Sequence, residues 1–401
     1  MLTRSCFLRL AGGFVGAVAL LAAEAAAAQT ILIGAPLPLT GPLSPEGQKL
    51  RNGYELWLEQ VNKAGGIKVG DKKLPVQLIY YDYESNTPRA VQLAEKLITD
   101  DKVNFMFAPF GSGATKAASS VAERYGMPMI ASTASSAEVF DQGYKNLFGV
   151  LTTNDSLTEP MADLVLKSAP QVKKIAILAR NDLYPLALGM EFEKSAKKRG
   201  LDVVFFEKYA IGTLDHASSL TQIRAARPDW IIITGYINDT ILARKQMADI
   251  SVRASVITMI NGPAYQEFLD ATGPLGETLT SAAWWHPSVK YTGDDVFKSA
   301  ANYAQLYTAK YKAEADYTIA AASAIAAVLQ MAIEKAGTLD RDKVRVTLAS
   351  TKFETFFGPI AFTESGQAKS YVPPVFQIQN KKAAIIYPAE VKTGDLQLFK
   401  R

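Results

Sequence analysis

The chain has 401 residues, 48% of them hydrophobic, with 43 basic and 39 acidic side chains and no basic block. A chain of this length can bury a sizeable core and ordinarily divides into two lobes, and its near balance of charge makes nucleic acid a poor partner. One cysteine, Cys6, and two histidines, His216 and His286, leave little material for a disulfide framework, a metal centre or thiol chemistry.

Residues 1–28 have the parts of a secretory signal. Arg4 and Arg9 precede an unbroken apolar run over 10–23, and Ala26-Ala27-Ala28 forms the small-residue exit. The run falls short of the ~20 residues needed to cross a bilayer, and Glu24 interrupts it. Cys6 precedes the run, which opposes lipid attachment. The expectation is a cleaved signal peptide, a periplasmic mature chain and no cysteine in it.

From residue 29 on, strand-like and helix-like segments alternate. Ile31-Leu32-Ile33-Gly34 reads as a buried strand, and Leu50, Tyr54, Trp57, Leu58 and Val61 recur at helical spacing until Gly65-Gly66 ends the pattern. Strands follow at 76–81, 103–108 and 127–131, with helices at 88–100 and 115–125. The rhythm restarts after residue 155, with strands at 175–179, 203–206, 230–234 and 255–259 and helices at 186–199 and 239–249. Apolar strands alternating with amphipathic helices predict an α/β protein with parallel sheets covered on both faces, and two such series predict two doubly wound lobes. Two long helical patterns, 294–311 and 317–336, precede short strand-like runs near Ile360, Phe376 and Ile385, a tail expected to be shared between the lobes. The Ala-rich stretch 319–333 is apolar, yet Ser323, Gln330 and flanking charges suit a buried helix better than a membrane span.

Open parallel sheets bind ligands outside the carboxyl ends of their strands, which singles out the loops after Ala108, Ala131, Ala179, Thr234 and Met259. In the first of these, Gly111 and Gly113 allow close approach of the backbone and Ser112 brings a hydroxyl. The free N–H groups of a helix opening at Thr115 favour an anion. Gly111–Lys116 lacks the glycine-lysine-hydroxyl ending of a phosphate loop. A second hydroxyl cluster, Ser132-Thr133-Ala134-Ser135-Ser136, follows the next strand, and the two together point to a carboxylate pocket. Motifs for a nucleophile elbow, a zinc protease helix or a Walker loop are absent. Glu46 with Asp82 is the one acid pair that could be named for catalysis, and Asp82 fits a loop network better. A binding protein without a cofactor is expected, not an enzyme.

At these residues the sequence resembles the branched-chain (Leu/Ile/Val) amino acid type of periplasmic substrate-binding protein that serves ABC transporters. The likeness runs through Ile31 to Thr40-Gly41-Pro42, Asn62-Lys63-Ala64-Gly65-Gly66-Ile67, Tyr81-Asp82, Asn86-Thr87-Pro88, Ser112 to Thr115, Gly235-Tyr236 and Phe357-Gly358-Pro359-Ile360. It implies a type I periplasmic-binding fold in which a three-strand hinge, crossing near residues 150, 283 and 356, joins the two lobes. Lobe 1 would comprise 29–150 plus 283–356, and lobe 2 151–282 plus 357–401. The resemblance further implies that Ser112, Thr133 and Ser135 hold a ligand carboxylate, that Tyr184 and Tyr236 close over it, and that the closed monomer docks on a membrane permease.

Three departures bear on the ligand. The glutamate by which amino-acid binders of this family meet the ammonium is missing from Ile260-Asn261-Gly262-Pro263-Ala264-Tyr265. Glu46 precedes Gly47 where the family tends to an aromatic, and Pro185 follows Tyr184 where a glycine is usual. Two ligand classes stay open: a hydrophobic amino acid, its ammonium met by Glu46 or by Asn261 and backbone carbonyls, or an aromatic or aliphatic organic acid. A ligand-sensing receptor or regulator with the same fold is the alternative role.

Overall fold

The structure, a computed structural model, describes residues 29–369 and 371–399; the expected signal peptide lies outside them. The first sheet is built from β1 (Ile31–Leu37), β4 (Val76–Asp82), β5 (Phe105–Phe107), β6 (Met129–Ala131) and β7 (Leu147–Gly149), in the order β4-β1-β5-β6-β7 and parallel throughout. Between them run α1 (Ser44–Lys63), a small hairpin of β2 (Ile67–Val69) and β3 (Lys72–Leu74), α2 (Thr87–Thr99) and α3 (Gly111–Arg124). Helices on both faces explain why Ile33, Gly34, Ala35, Pro36 and Leu37 are buried in succession, where a one-sided sheet would alternate.

The second series has α4 (Asp155–Ser168), β8 (Lys174–Arg180), α5 (Leu183–Lys198), β9 (Asp202–Tyr209), α6 (Ala217–Ala226), β10 (Trp230–Thr234), α7 (Ile237–Asp249), β11 (Val256–Ile260), α8 (Gln266–Thr272) and β12 (Thr280–Ala282). Its strands run parallel from β9 to β12. The tail supplies α9 (Ala300–Tyr311), α10 (Tyr317–Ala336), α11 (Arg341–Ser350), the hairpin β13 (Phe353–Thr355) and β14 (Gly358–Ile360), and finally β15 (Val375–Gln379) and β16 (Lys382–Tyr387). The last two strands join the second sheet antiparallel at its edge, giving the order β16-β15-β12-β11-β10-β8-β9. Helix α10 is the one described helix long and apolar enough to span a membrane, and it is instead core: it lies against α1, with Ile319 to Leu329 buried.

Three sequence expectations shift. The third crossing does not come near residue 356. Gly149 donates its N–H to the Gly366 carbonyl, Gln367 bridges Gly149, and Phe362 packs edge-on against Phe148, so the chain stays with the first sheet until Ala368. It crosses between there and Val375, which pairs with Ala282. The lobe 2 assignment of 357–368 is corrected accordingly. Helix α11 was not anticipated, because only Val344 and Leu348 mark its buried face. Helix α3 begins at Gly111 and not at Thr115, because Gly111, at φ +81°, turns the chain straight from the strand into the helix.

Candidate functional site

The carboxyl ends of both sheets face a common cleft. On the first lobe, Thr133 Oγ1 accepts from the Gly111 N–H (3.0 Å), and Ser112 Oγ accepts from the N–H groups of Ser135 and Ser136 (3.3 Å each). Each hydroxyl thus uses a lone pair on the backbone and keeps its proton to donate. Both stand at the N-terminus of the 14-residue α3, where the backbone dipoles favour negative charge. Ser135 is placed differently: its hydroxyl is 2.8 Å from Asn154 Oδ1 and donates to it, so it supports the loop instead of offering a proton to a ligand. Gly113 faces Asp182 and Leu183 of the other lobe, the Asp182 carboxylate lying 3.5 Å from where a Cβ would sit.

Across the cleft, Tyr184 occupies the first turn of α5 and Tyr236 precedes α7. Tyr184 Oη is buried with no protein partner, an uncommon condition for a buried hydroxyl. Tyr236 is fixed from behind. Its N–H donates to Asp239 Oδ2 (2.9 Å), the Arg180 guanidinium bonds the same carboxylate at 2.8 Å, and that guanidinium lies 5.0 Å from the Tyr236 ring centre. Phe110 of the first lobe meets the same ring at 5.5 Å. A chain of rings continues from Tyr236 through Tyr184, Trp284 and Tyr317 to Tyr265, with centroid spacings of 6.1, 6.3, 5.4 and 5.8 Å. Phe110, Trp284, Tyr317 and Arg180 were not foreseen. An aromatic right after the Asp316 cap of α10 was the available signal for Tyr317.

Asn261 is tied into the site's own bonding. Tyr317 donates its hydroxyl to Asn261 Oδ1 (2.8 Å), and Asn261 Nδ2 donates to the Gly235 carbonyl (3.4 Å). Glu46, by contrast, is available. It is 2% exposed, its Oε1 accepts the Ile237 N–H from the facing lobe at 3.3 Å, and its Oε2 is buried without a partner. Burial pushes its carboxyl up to about 7 against the lowering effects of its own and the Ile237 N–H groups and of Lys49.

The loop leading to Glu46 is organised by Asp82. Its Oδ1 accepts from the N–H groups of Leu39, Thr40 and Glu84, and its Oδ2 from the Thr40 hydroxyl. Partial burial would raise this carboxyl, but the Thr40 hydroxyl and the three N–H donors hold it below its ordinary value. A depressed acid stabilises the fold above its unfolded pKa, and that contribution is lost as pH falls through the folded value. Asp82→Asn is therefore expected to cost about 1 kcal/mol in urea unfolding at neutral pH, the difference from wild type vanishing in acid.

A second set of contacts closes the lobes without touching the hydroxyl cluster. Lys49 of α1 bonds Asp316 of its own lobe and Glu267 of the other at 2.7 Å each, and lies 4.9 Å from the Tyr265 ring centre. The Tyr265 hydroxyl in turn meets Thr318 at 2.9 Å. Burial works against the Lys49 charge, but the two carboxylates raise its pKa above the ordinary value. A groove of about 840 Å³ runs beside this latch, past Tyr307, Tyr311 and Trp285, and Ser112, Thr133, Tyr184 and Tyr236 do not line it. Of the histidines, His286 sits in the segment after β12 and His216 is buried edge-on to Tyr209. Among the described residues, no group of three His, Cys, Asp or Glu could hold a metal ion.

Residues 30–383 match the family model described as periplasmic binding protein. A leucine-, isoleucine-, valine-, threonine- and alanine-binding protein of Pseudomonas aeruginosa is 28% identical over 371 residues, covering 90% of this chain and 93% of the relative. Among solved structures, a branched-chain amino acid transporter substrate-binding protein of Streptococcus pneumoniae, in complex with isoleucine, aligns with TM-score 0.80 at 23% identity, covering 90% of this chain and 100% of that one. A solute-binding protein of an ABC transporter from R. palustris, in complex with benzoate, aligns with TM-score 0.76 at 20% identity, covering 89% and 96%. With two wound sheets, three crossings and a cleft between their carboxyl ends, the chain has the type I fold and belongs to the periplasmic binding protein family, whose members are solute-binding proteins.

Proposed function

We propose that this chain is the periplasmic solute-binding component of an ABC importer and that it closes, as a monomer, over a small carboxylate-bearing molecule, delivering it to a membrane permease. The observation that carries this reading is the pair of hydroxyls, Ser112 in the first turn of α3 and Thr133 in the loop after β6 beside it, with their protons uncommitted. Tyr184 and Tyr236 face them from the other lobe. A ligand touching both lobes stabilises the closed state by its differential affinity for it. The acid pair that catalysis would need is divided, Asp82 being bound within its loop and Glu46 lying across the cleft from Ile237.

Titration calorimetry with leucine, isoleucine, benzoate and their hydroxy analogues tests the reading. Ser112→Ala and Thr133→Ala are each expected to weaken whichever carboxylate binds by about 1–3 kcal/mol, the cost of unpaired hydrogen bonds to a charged group. Unchanged affinity in both variants would overturn the placement of the carboxylate.

A further inference from the structure

We propose that Glu46 selects the ligand as an uncharged acid, donating a hydrogen bond from Oε2 to a ligand oxygen, so that the solute is a hydroxy- or oxo-carboxylate and not an α-amino acid. This rests on the carboxylate reading above and adds the second polar group of the ligand. Glu46 is buried between the lobes, yet it has no ion-pair partner. The one cation near it, Lys49, is already bound by Asp316 and Glu267. Oε1 is spent on the Ile237 N–H, leaving Oε2 as the buried oxygen without a partner.

The surroundings disfavour a carboxylate charge. The titratable groups acting on Glu46 or acted on by it are Lys49 on its own helix, Tyr83 after β4, Tyr236 and Asp239 at the start of α7, and Tyr317 at the start of α10. Apart from Lys49, whose charge is paired with Asp316 and Glu267, these are hydroxyls or a like charge. The burial that raises Glu46 to about 7 agrees with a proton resident on it. An α-ammonium would need three acceptors and a counter-charge, and Asn261, the side chain standing where the segment after β11 could supply one, is uncharged and already gives one lone pair of Oδ1 to the Tyr317 hydroxyl. A hydroxyl or carbonyl oxygen needs only one donor, and a protonated Oε2 is one. An ammonium buried without an ionised partner is costly.

The test is titration calorimetry with leucine, its isosteres 2-hydroxyisocaproate and 2-oxoisocaproate, and 4-hydroxybenzoate, on the wild type, Glu46→Gln and Ser112→Ala. Glutamine keeps the acceptor for Ile237 and replaces the acid proton with an amide N–H. The wild type is expected to bind a hydroxy- or oxo-acid at least about tenfold tighter than leucine. It should lose that affinity as pH rises through the Glu46 value. Glu46→Gln, whose amide N–H is a donor at every pH, should remove that pH dependence. Leucine binding tightest in the wild type, with a loss of about a hundredfold or more in Glu46→Gln, would overturn the proposal. Failure of every hydroxy- and oxo-acid to bind would overturn it too. Insensitivity of all ligands to Ser112→Ala would instead strike the carboxylate reading on which it rests.

Discussion

Gly53→Ala is expected to destabilise the protein by about 3 kcal/mol or more, at the upper end of what overpacking a close contact costs. A Cβ on Gly53 would lie 2.4 Å from the Ile319 carbonyl oxygen and 2.8 Å from Ala322 Cβ, where α1 and α10 cross. Neither neighbour can swing away. Ile319 O belongs to the α10 backbone and already accepts the Tyr303 hydroxyl, and the Ser323 hydroxyl reaches the Gly53 carbonyl at 2.6 Å. The helices must separate, and α1 carries Glu46 and Lys49 while α10 carries Asp316 and Tyr317. Affinity for ligand should therefore fall together with the midpoint of thermal unfolding. A variant unfolding within 1 °C of wild type would show that the helices adjust freely.

Lys49→Met is expected to cost about 3–5 kcal/mol, because it strands the buried Asp316 carboxylate without its counter-charge. Asp316→Asn in the same chain should recover much of that loss, since an uncharged amide can still cap α10 through the N–H groups of Thr318 and Ile319. Glu267→Gln is the milder change. Glu267 is half exposed, and its partner keeps Asp316, so only about 0.5–1 kcal/mol should be lost. That loss should appear mainly as faster ligand release, because the bond removed joins one lobe to the other. Denaturant unfolding and stopped-flow dissociation separate the two effects. A Lys49→Met protein as stable as wild type would mean the latch contributes nothing.

Much of the architecture was legible in local pattern. The alternation of apolar strands with helices located both sheets, and the hydroxyl-rich loops after adjacent strands do lie side by side, with Ser112 and Thr133 bonded to each other's loop, because these signals lie within a few residues of one another. What escaped detection depends on partners far along the chain. Lys49 reads as an ordinary helix lysine until Glu267 and Asp316, 218 and 267 residues away, are brought to it. Arg180 ends a strand and gives no hint that its guanidinium backs Tyr236. Ser135 and Asn261 look like ligand groups in sequence, and only the fold shows their bonds to Asn154, Tyr317 and Gly235. The late third crossing escaped for the same reason: nothing near Gln367 announces that Gly149 lies alongside it.

The ring chain across the cleft also makes the molecule its own optical gauge. Trp284 stands in the segment following β12, its indole N–H bonded to the Thr152 carbonyl, with Tyr184 of one lobe and Tyr317 of the other at its flanks. Trp57 and Trp230 are each enclosed within one lobe, and Trp285, which lines the groove beside the latch, has its ring neighbours Tyr303 and Phe356 in the first lobe alone. Parting of the lobes strips Trp284 of one aromatic wall and admits water to its face, so its emission follows closure directly, and solute capture can be timed in the unlabelled protein.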